Sequence, residues 1–183
     1  HRAAVDTAVI SIVTPRPVAF LGKAEYFTGR GPVRRFVAAF LSALGYVPVE
    51  RDNAHAGLRA LAAGRRVLET GGAFAIYPEG TRSLDGRLHR GHTGVAQLAL
   101  ATGAPVVPVA LSGTNNVQPV GSKRFRLAKV TVRFGEPLEF SRFDGLAGSA
   151  AIRRSVTDEI MYAIMELSGQ VYVDSYHKRP NAA

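Results

Sequence analysis

The chain has 183 residues, of which 46% are hydrophobic and 20% are charged, so it can bury a core and is not disordered as a whole. It contains no cysteine, which excludes disulfides, cysteine-bound metals and a thiol nucleophile. Lys and Arg number 23 against 14 Asp and Glu, and this net charge of +9 predicts a polyanionic partner unless it serves solubility alone.

Apolar periodicity and helix-breaking residues predict alternating helices and strands along the chain. In order, these are helix Val5–Val13, strand Val18–Gly22, helix Pro32–Leu44, strand Tyr46–Val49, helix Ala54–Leu68, strand Phe74–Tyr77, helix Gly94–Thr102, strands Pro105–Leu111 and Lys129–Phe134, and helix Ala150–Leu167. Strands separated by helices favour the α/β class, with a single layered domain and a mixed β-sheet flanked by helices.

One run without formal charge, Gly91–Ser122, is long enough to span a bilayer. Glycines and prolines break it, among them Pro105 and Pro108, so no transmembrane helix is predicted there. The chain begins at His1, and we expect it to be part of a longer protein whose preceding segment could carry an anchor.

His1 and Asp6 lie five positions apart. On one ideal helix they would point about 140° apart and would not share a face. A partnership therefore requires His1 in the loop before the first helix and Asp6 one turn inside it. A carboxylate bound to one imidazole nitrogen fixes the tautomer and leaves the other nitrogen available as a base. This spacing also arises by chance, so the pair alone leaves a structural role open.

The segment Tyr77-Pro-Glu-Gly-Thr-Arg-Ser83 is more specific. It follows an apolar strand, and the loops after such strands are where α/β sheets bind ligands. Gly80 permits close approach of the backbone, and Arg82 can hold a phosphate through two parallel hydrogen bonds. The alternative is a surface turn with a local pair between Glu79 and Arg82.

Four stretches, in this order, resemble the blocks of the glycerolipid acyltransferase family, which includes the 1-acyl-sn-glycerol-3-phosphate acyltransferases. The first is the His-x4-Asp pair, and the third is the Pro-Glu-Gly-Thr-Arg block, with Tyr77 where the family has Phe. The four stretches are His1–Asp6, Gly45–Arg51, Tyr77–Ser83 and Val106–Val109, and a strand-end block at Phe134–Pro137 is also similar. The resemblance covers about residues 1–140.

The chain departs from the family pattern at three points. The Asn that usually precedes the His is outside this chain, and Ala3 stands where a Ser is common. His92 stands where many bacterial members have a basic residue, so the charge at this position depends on pH. None of these differences removes the pair of His1 and Asp6.

The resemblance implies transfer of a fatty acyl group from acyl-CoA or acyl-carrier protein to a hydroxyl of lysophosphatidic acid, which gives phosphatidic acid. His1 would be the general base, oriented by Asp6. The acceptor phosphate would be bound by Arg82, Lys23 and Arg51. The turn at Glu79, Gly80 and Thr81 would contribute backbone donors to the oxyanion, and Glu79 would hold the turn or Arg82 rather than act as an acid.

The resemblance also implies an acyltransferase domain over residues 1–169, followed by a C-terminal tail over 170–183. No metal or cofactor is expected, because the acyl thioester is a cosubstrate. The expected partners are a glycerophospholipid acceptor, the acyl donor and an anionic membrane surface, with peripheral attachment at the cytoplasmic face. Two basic segments could contact that surface: the predicted helix with Arg34 and Arg35, and a cluster at Lys123, Arg124, Arg126, Lys129 and Arg133.

Other functions remain open from the sequence. The same chemistry could act on glycerol 3-phosphate, another lysophospholipid or a glycolipid. A basic nucleic-acid-binding domain would explain the charge but not the Pro-Glu-Gly-Thr-Arg block, and the basic residues are not interleaved with stacking aromatics. Nucleic acid is therefore not expected as a partner. An inactive lipid-binding relative is disfavoured by the intact His1 and Asp6 pair.

Overall fold

The computed structural model describes residues 5–23, 31, 35, 46–49, 56–117 and 126–177. Five α-helices and seven strands lie in these ranges. The helices are α1 (Val5–Val13), α2 (Ala56–Glu69), α3 (Gly94–Thr102), α4 (Thr114–Val117) and α5 (Ala150–Ser168). The strands are β1 (Val18–Lys23), β2 (Tyr46–Val49), β3 (Ala73–Ala75), β4 (Leu88–His89), β5 (Val109–Ser112), β6 (Thr131–Phe134) and β7 (Tyr172–Val173), and a 3₁₀ helix covers Ser141–Phe143.

The chain divides into two compact units. The first unit comprises residues 7–76, and the second comprises residues 1–6 together with 77–183. The α/β class with both parallel and antiparallel strand pairs is confirmed, and within the described residues the strands form three small sheets. The predicted domain boundary at residue 169 stays a prediction.

The first unit is built on a parallel sheet in the order β2-β1-β3. Phe20 lies in the central strand, opposite Tyr46 on one side and Ala75 on the other, and its side chain is 2% exposed. Parallel neighbours need crossover connections, and α2 supplies the one that leads from β2 to β3. The β3 strand is shorter than the predicted Phe74–Tyr77, because the chain turns at Pro78.

The second unit is organised around α5. Val156, Ile160 and Met161 are at most 1% exposed, at the spacing that places them on one helix face. Ser149 caps this helix by accepting a hydrogen bond from the Ile152 N–H. The buried face of α3 adds Val95, Ala96, Leu98 and Ala99 to the core.

Two short sheets complete the second unit. β5 and β6 pair antiparallel, with Val109 opposite Phe134, and β4 and β7 pair parallel. The strand predicted over Pro105–Leu111 begins only at Val109, because Pro105 and Pro108 have no N–H to donate; Val106 instead makes an isolated bridge to Leu138. Among the described residues, no helix is both long and apolar enough to cross a membrane.

Candidate active site

The Pro-Glu-Gly-Thr-Arg block folds as a tight turn in the second unit. The N–H of Gly80 donates to the carbonyl of Tyr77 at 3.0 Å, with Pro78 and Glu79 as the central residues of the turn. Gly80 has φ +69°, in the left-handed region that favours glycine. A Cβ at this position would lie 3.1 Å from the His92 ring, so both the backbone and the neighbour select glycine.

Glu79 fastens this turn to the strand that follows. Its side chain is only 5% exposed, and Oε2 accepts a hydrogen bond from the backbone N–H of His89 at 2.9 Å. The N–H of His92 closes the same loop by donating to the carbonyl of Pro78 at 2.8 Å. The Glu79 carboxylate therefore joins the turn to β4, and its predicted role in holding the turn rather than acting as an acid stays a prediction.

Ser83 anchors the chain directly after Arg82. Its hydroxyl is buried, donates to the carbonyl of Arg87 at 2.7 Å and accepts from the N–H of Gly86 at 3.1 Å. Arg82 is exposed, whereas Ser83 beside it is 1% exposed. Because hydrogen bonds already hold the backbone beside it, the exposed Arg82 side chain can bind an anion with little loss of backbone conformational entropy.

Asp85 organises the second half of the loop. Its Oδ1 accepts from the N–H of Arg87 at 3.1 Å, and both carboxylate oxygens lie within 3.2 Å of His89 Nε2. The backbone N–H of Arg87 lowers the pKa of Asp85 to about 2, against the opposing effect of desolvation, and hydrogen bonds with His89 and Ser83 act in the same direction. This carboxylate is ionised throughout the neutral pH range.

The segment after Gly169 forms backbone hydrogen bonds with residues 88–90 of the loop. The N–H groups of Leu88 and Arg90 donate to the carbonyls of Val171 and Ser175, at 3.0 and 3.1 Å. The His92 ring stacks on Tyr176, with centroids 4.8 Å apart. The segment after Gly169 is therefore part of the loop's support.

Asp6 lies in the first turn of α1 and is 1% exposed. It belongs to the same compact unit as the Glu79–Arg82 turn. A carboxylate buried to this degree is stable only with hydrogen-bond or charge partners. His1 and Arg51 lie outside the described residues, and Lys23 is the last residue of β1, in the first unit.

An open groove of about 800 Å³ runs along α5. It contains none of the predicted site residues, and Asp158, Glu159 and Glu166 line it. Arg154 also lines it and forms an ion pair with Asp158.

The family model for the acyltransferases matches residues 1–112, more than half of the chain. The chain belongs to the acyltransferase family. It is 34% identical over 111 residues to chloroplastic 1-acyl-sn-glycerol-3-phosphate acyltransferases of Brassica napus and Arabidopsis thaliana. Each alignment takes 60% of this chain, and 32% and 31% of the respective relative.

A solved structure extends the similarity over the fold. The acyltransferase chain matches the 1-acyl-sn-glycerophosphate (LPA) acyltransferase PlsC from Thermotoga maritima with a TM-score of 0.66 and 28% identity. The match covers 91% of this chain and 63% of that one. The acyltransferase chain thus spans about a third of the first curated relatives and less than two thirds of the solved structure.

Sequence reasoning missed two features of this acyltransferase. The first is the network of Ser83, Asp85 and His89, for which Asp85-Gly86 was an available signal, since that pair is typical of tight turns. The second is the support by β7, whose two residues are too few to show a strand pattern.

Proposed function

We propose that this chain transfers an acyl group from an acyl thioester to a hydroxyl of lysophosphatidic acid. The observation that carries the proposal is the family match over residues 1–112, which includes the fastened Pro-Glu-Gly-Thr-Arg turn. The similar proteins from Brassica napus and Arabidopsis thaliana are named for this acylation. Glycerol 3-phosphate, another lysophospholipid or a glycolipid is the alternative acceptor for the same chemistry.

The reaction needs a base, because an alcohol is a poor nucleophile until its proton is removed. We assign that role to His1 and the orientation of its ring to Asp6. The burial of Asp6 in the first turn of α1 supports this assignment, since a fixed carboxylate can set the tautomer of a nearby imidazole. The acceptor oxygen then attacks the thioester carbonyl, and the thiol of the carrier leaves with a proton.

The acceptor phosphate needs cations, and Arg82 is the first candidate. Its exposure next to the anchored Ser83 supports this role. Lys23 and Arg51 remain proposals that rest on the family resemblance. For the oxyanion, the Gly80 N–H already donates within the turn, so we assign this role to the backbone N–H of the next residue, Thr81.

The test is an acceptor panel assayed with one acyl-CoA and, in parallel, with one acyl-carrier protein. Lysophosphatidic acid is expected to give the highest kcat/KM, and His1→Ala is expected to lower turnover by roughly 10²–10⁴. His55→Ala, a histidine outside all the family blocks, is the matched control and should keep full turnover. Wild-type turnover in a folded His1→Ala protein would exclude the proposed base.

We propose that the protein works on an anionic membrane surface, attached peripherally at its cytoplasmic face. Leu127 is fully exposed between the exposed Arg126 and Lys129, a combination suited to headgroup contact and shallow insertion. Arg35 is also exposed, while Arg34, Lys123 and Arg124 lie outside the described residues.

Vesicle binding tests this attachment. Binding should require anionic lipid and weaken with salt, because charge attraction is screened beyond about 8 Å at physiological ionic strength. Arg126→Ala and Lys129→Ala should each weaken binding about 5-fold, the equivalent of about 1 kcal/mol per basic residue. Arg65→Ala is the control, since Arg65 is an exposed arginine paired with Glu69. Binding that ignores lipid charge and salt would contradict the proposal.

A further inference from the structure

Asp85, His89 and His177 meet at one place in the second unit. One potential ligand atom from each residue lies within 4.8 Å of the other two. The two imidazole rings have centroids 4.4 Å apart and are tilted by 54°. Neither the acyl transfer nor the phosphate contacts proposed above use this cluster.

A second observation concerns the hydrogen bonding of the two imidazole rings. In the part of the chain that the structure describes, the buried atoms His89 Nδ1 and His177 Nε2 have no hydrogen-bond partner. A buried polar atom without a partner is unfavourable, and the one on His177 calls for an explanation. A cation held by Asp85 and by His89 Nε2, the nitrogen that faces that carboxylate, would give His177 Nε2 a partner.

We propose that Asp85, His89 and His177 form a zinc site that fastens the C-terminal segment to the loop after the Pro-Glu-Gly-Thr-Arg turn. Two imidazoles and one carboxylate are a donor set that suits Zn²⁺ and does not suit Mg²⁺, which prefers oxygen ligands.

The local geometry fits such a site after small side-chain movements. Zinc bonds of about 2.1 Å in a tetrahedral arrangement place ligand atoms about 3.4 Å apart. The carboxylate of Asp85 is already 3.1 Å from His89 Nε2. A separation of 4.8 Å, the upper limit within the cluster, then has to shorten by about 1.4 Å, and a change of side-chain torsions can supply such a movement.

The backbone already brings the ligands together from distant parts of the chain. β4, which contains His89, pairs with β7, and the side chain of Gln170 donates to the carbonyl of Gly86 at 2.7 Å. His177 lies four residues after β7. The metal would therefore lock an existing pairing, and its effect should appear as added stability of the folded chain.

The experiment measures Zn²⁺ affinity of the full chain, without a histidine tag, by competition with a chromophoric chelator. We expect one zinc per chain. His89→Ala and His177→Ala should each weaken binding by more than about 100-fold, because even partners outside the coordination shell are worth 10–100-fold. His55→Ala is the matched control: this histidine belongs to the first unit and not to the cluster, and the variant should bind like wild type.

A second measurement guards against variants that lose their fold. Zinc should raise the Tm of the wild-type chain and of His55→Ala, but not of His177→Ala, while Mg²⁺ should leave all three unchanged. Circular dichroism shows whether each variant is folded, and His89→Gln replaces His89→Ala if the latter is not. The proposal is overturned if wild type binds no zinc, or if folded His89 and His177 variants bind it as tightly as wild type.

Discussion

Replacement of Glu79 distinguishes a carboxylate that holds the turn from one that transfers a proton. In Glu79→Ala the N–H of His89 loses its acceptor, and His89 is itself only 7% exposed. A buried donor without a partner costs about 1–3 kcal/mol, and a hydrogen bond to a charged group is worth about 1.5–3 kcal/mol. Both figures describe the loss of the same hydrogen bond, so they are not added. We expect the free energy of unfolding to fall by about 2–3 kcal/mol.

Glu79→Gln keeps an oxygen acceptor at the same place and should lose less than about 1 kcal/mol. For a chain of this size, 1 kcal/mol corresponds to about 2–4 °C in Tm, so Glu79→Ala should melt about 4–12 °C lower than wild type. The assay is thermal and urea unfolding of all three proteins, with the urea m-value unchanged if only stability is affected.

Activity supplies the second half of the same test. If Glu79 only holds the turn, Glu79→Gln should keep most of the wild-type kcat, whereas loss of a general acid would lower it by roughly 10²-fold or more. The reasoning fails if Glu79→Ala is as stable as wild type, or if Glu79→Gln is destabilised as strongly as Glu79→Ala.

Three further outcomes follow from the described contacts. Gly113→Ala should cost more than about 2 kcal/mol in urea unfolding, because φ is +87° and a Cβ would lie 2.2 Å from a backbone carbonyl oxygen. Gly148→Ala, where nothing lies within 4 Å of such a Cβ, is its control and should stay within about 0.5 kcal/mol. Asp6→Asn should lower kcat less than His1→Ala, because an amide oxygen still orients the ring; equal losses in steady-state assays would contradict this. Arg82→Ala should raise KM for the phosphorylated acceptor more than for the acyl donor, and Arg82→Lys should restore it only in part, because lysine lacks the two-pronged guanidinium; equal effects on both substrates would indicate a structural role.

The helices were the most predictable part of the fold. The bounds of α1 and α3 are those predicted. Each is an apolar stretch, and a residue that ends helices follows it closely: Pro15 after α1 and Gly103 after α3. These features lie in the helix itself or in the residues directly beside it, so they can be recognised in a single sequence. The predicted helix Pro32–Leu44 lies outside the described residues, except for Arg35.

The support of the candidate site was not predictable in the same way. The Pro-Glu-Gly-Thr-Arg block predicts a turn. The attachment of this turn to β4 depends on contacts such as the hydrogen bond from the N–H of His89 to Glu79, ten residues earlier. The pairing of β4 with β7 joins strands of two residues each, too short for any alternation to show. Tertiary contacts decide such elements, and no local pattern encodes them.

The pairing of β4 with β7 also bears on how the chain is made. Gln170 and the Gly86 carbonyl that it contacts are 84 residues apart. A ribosome adds about 5–20 residues per second, so Gly86 is added to the chain roughly 4–17 s before Gln170. During that interval the loop has no β7 to pair with, and its final form can be reached only after residues 170–173 have been made.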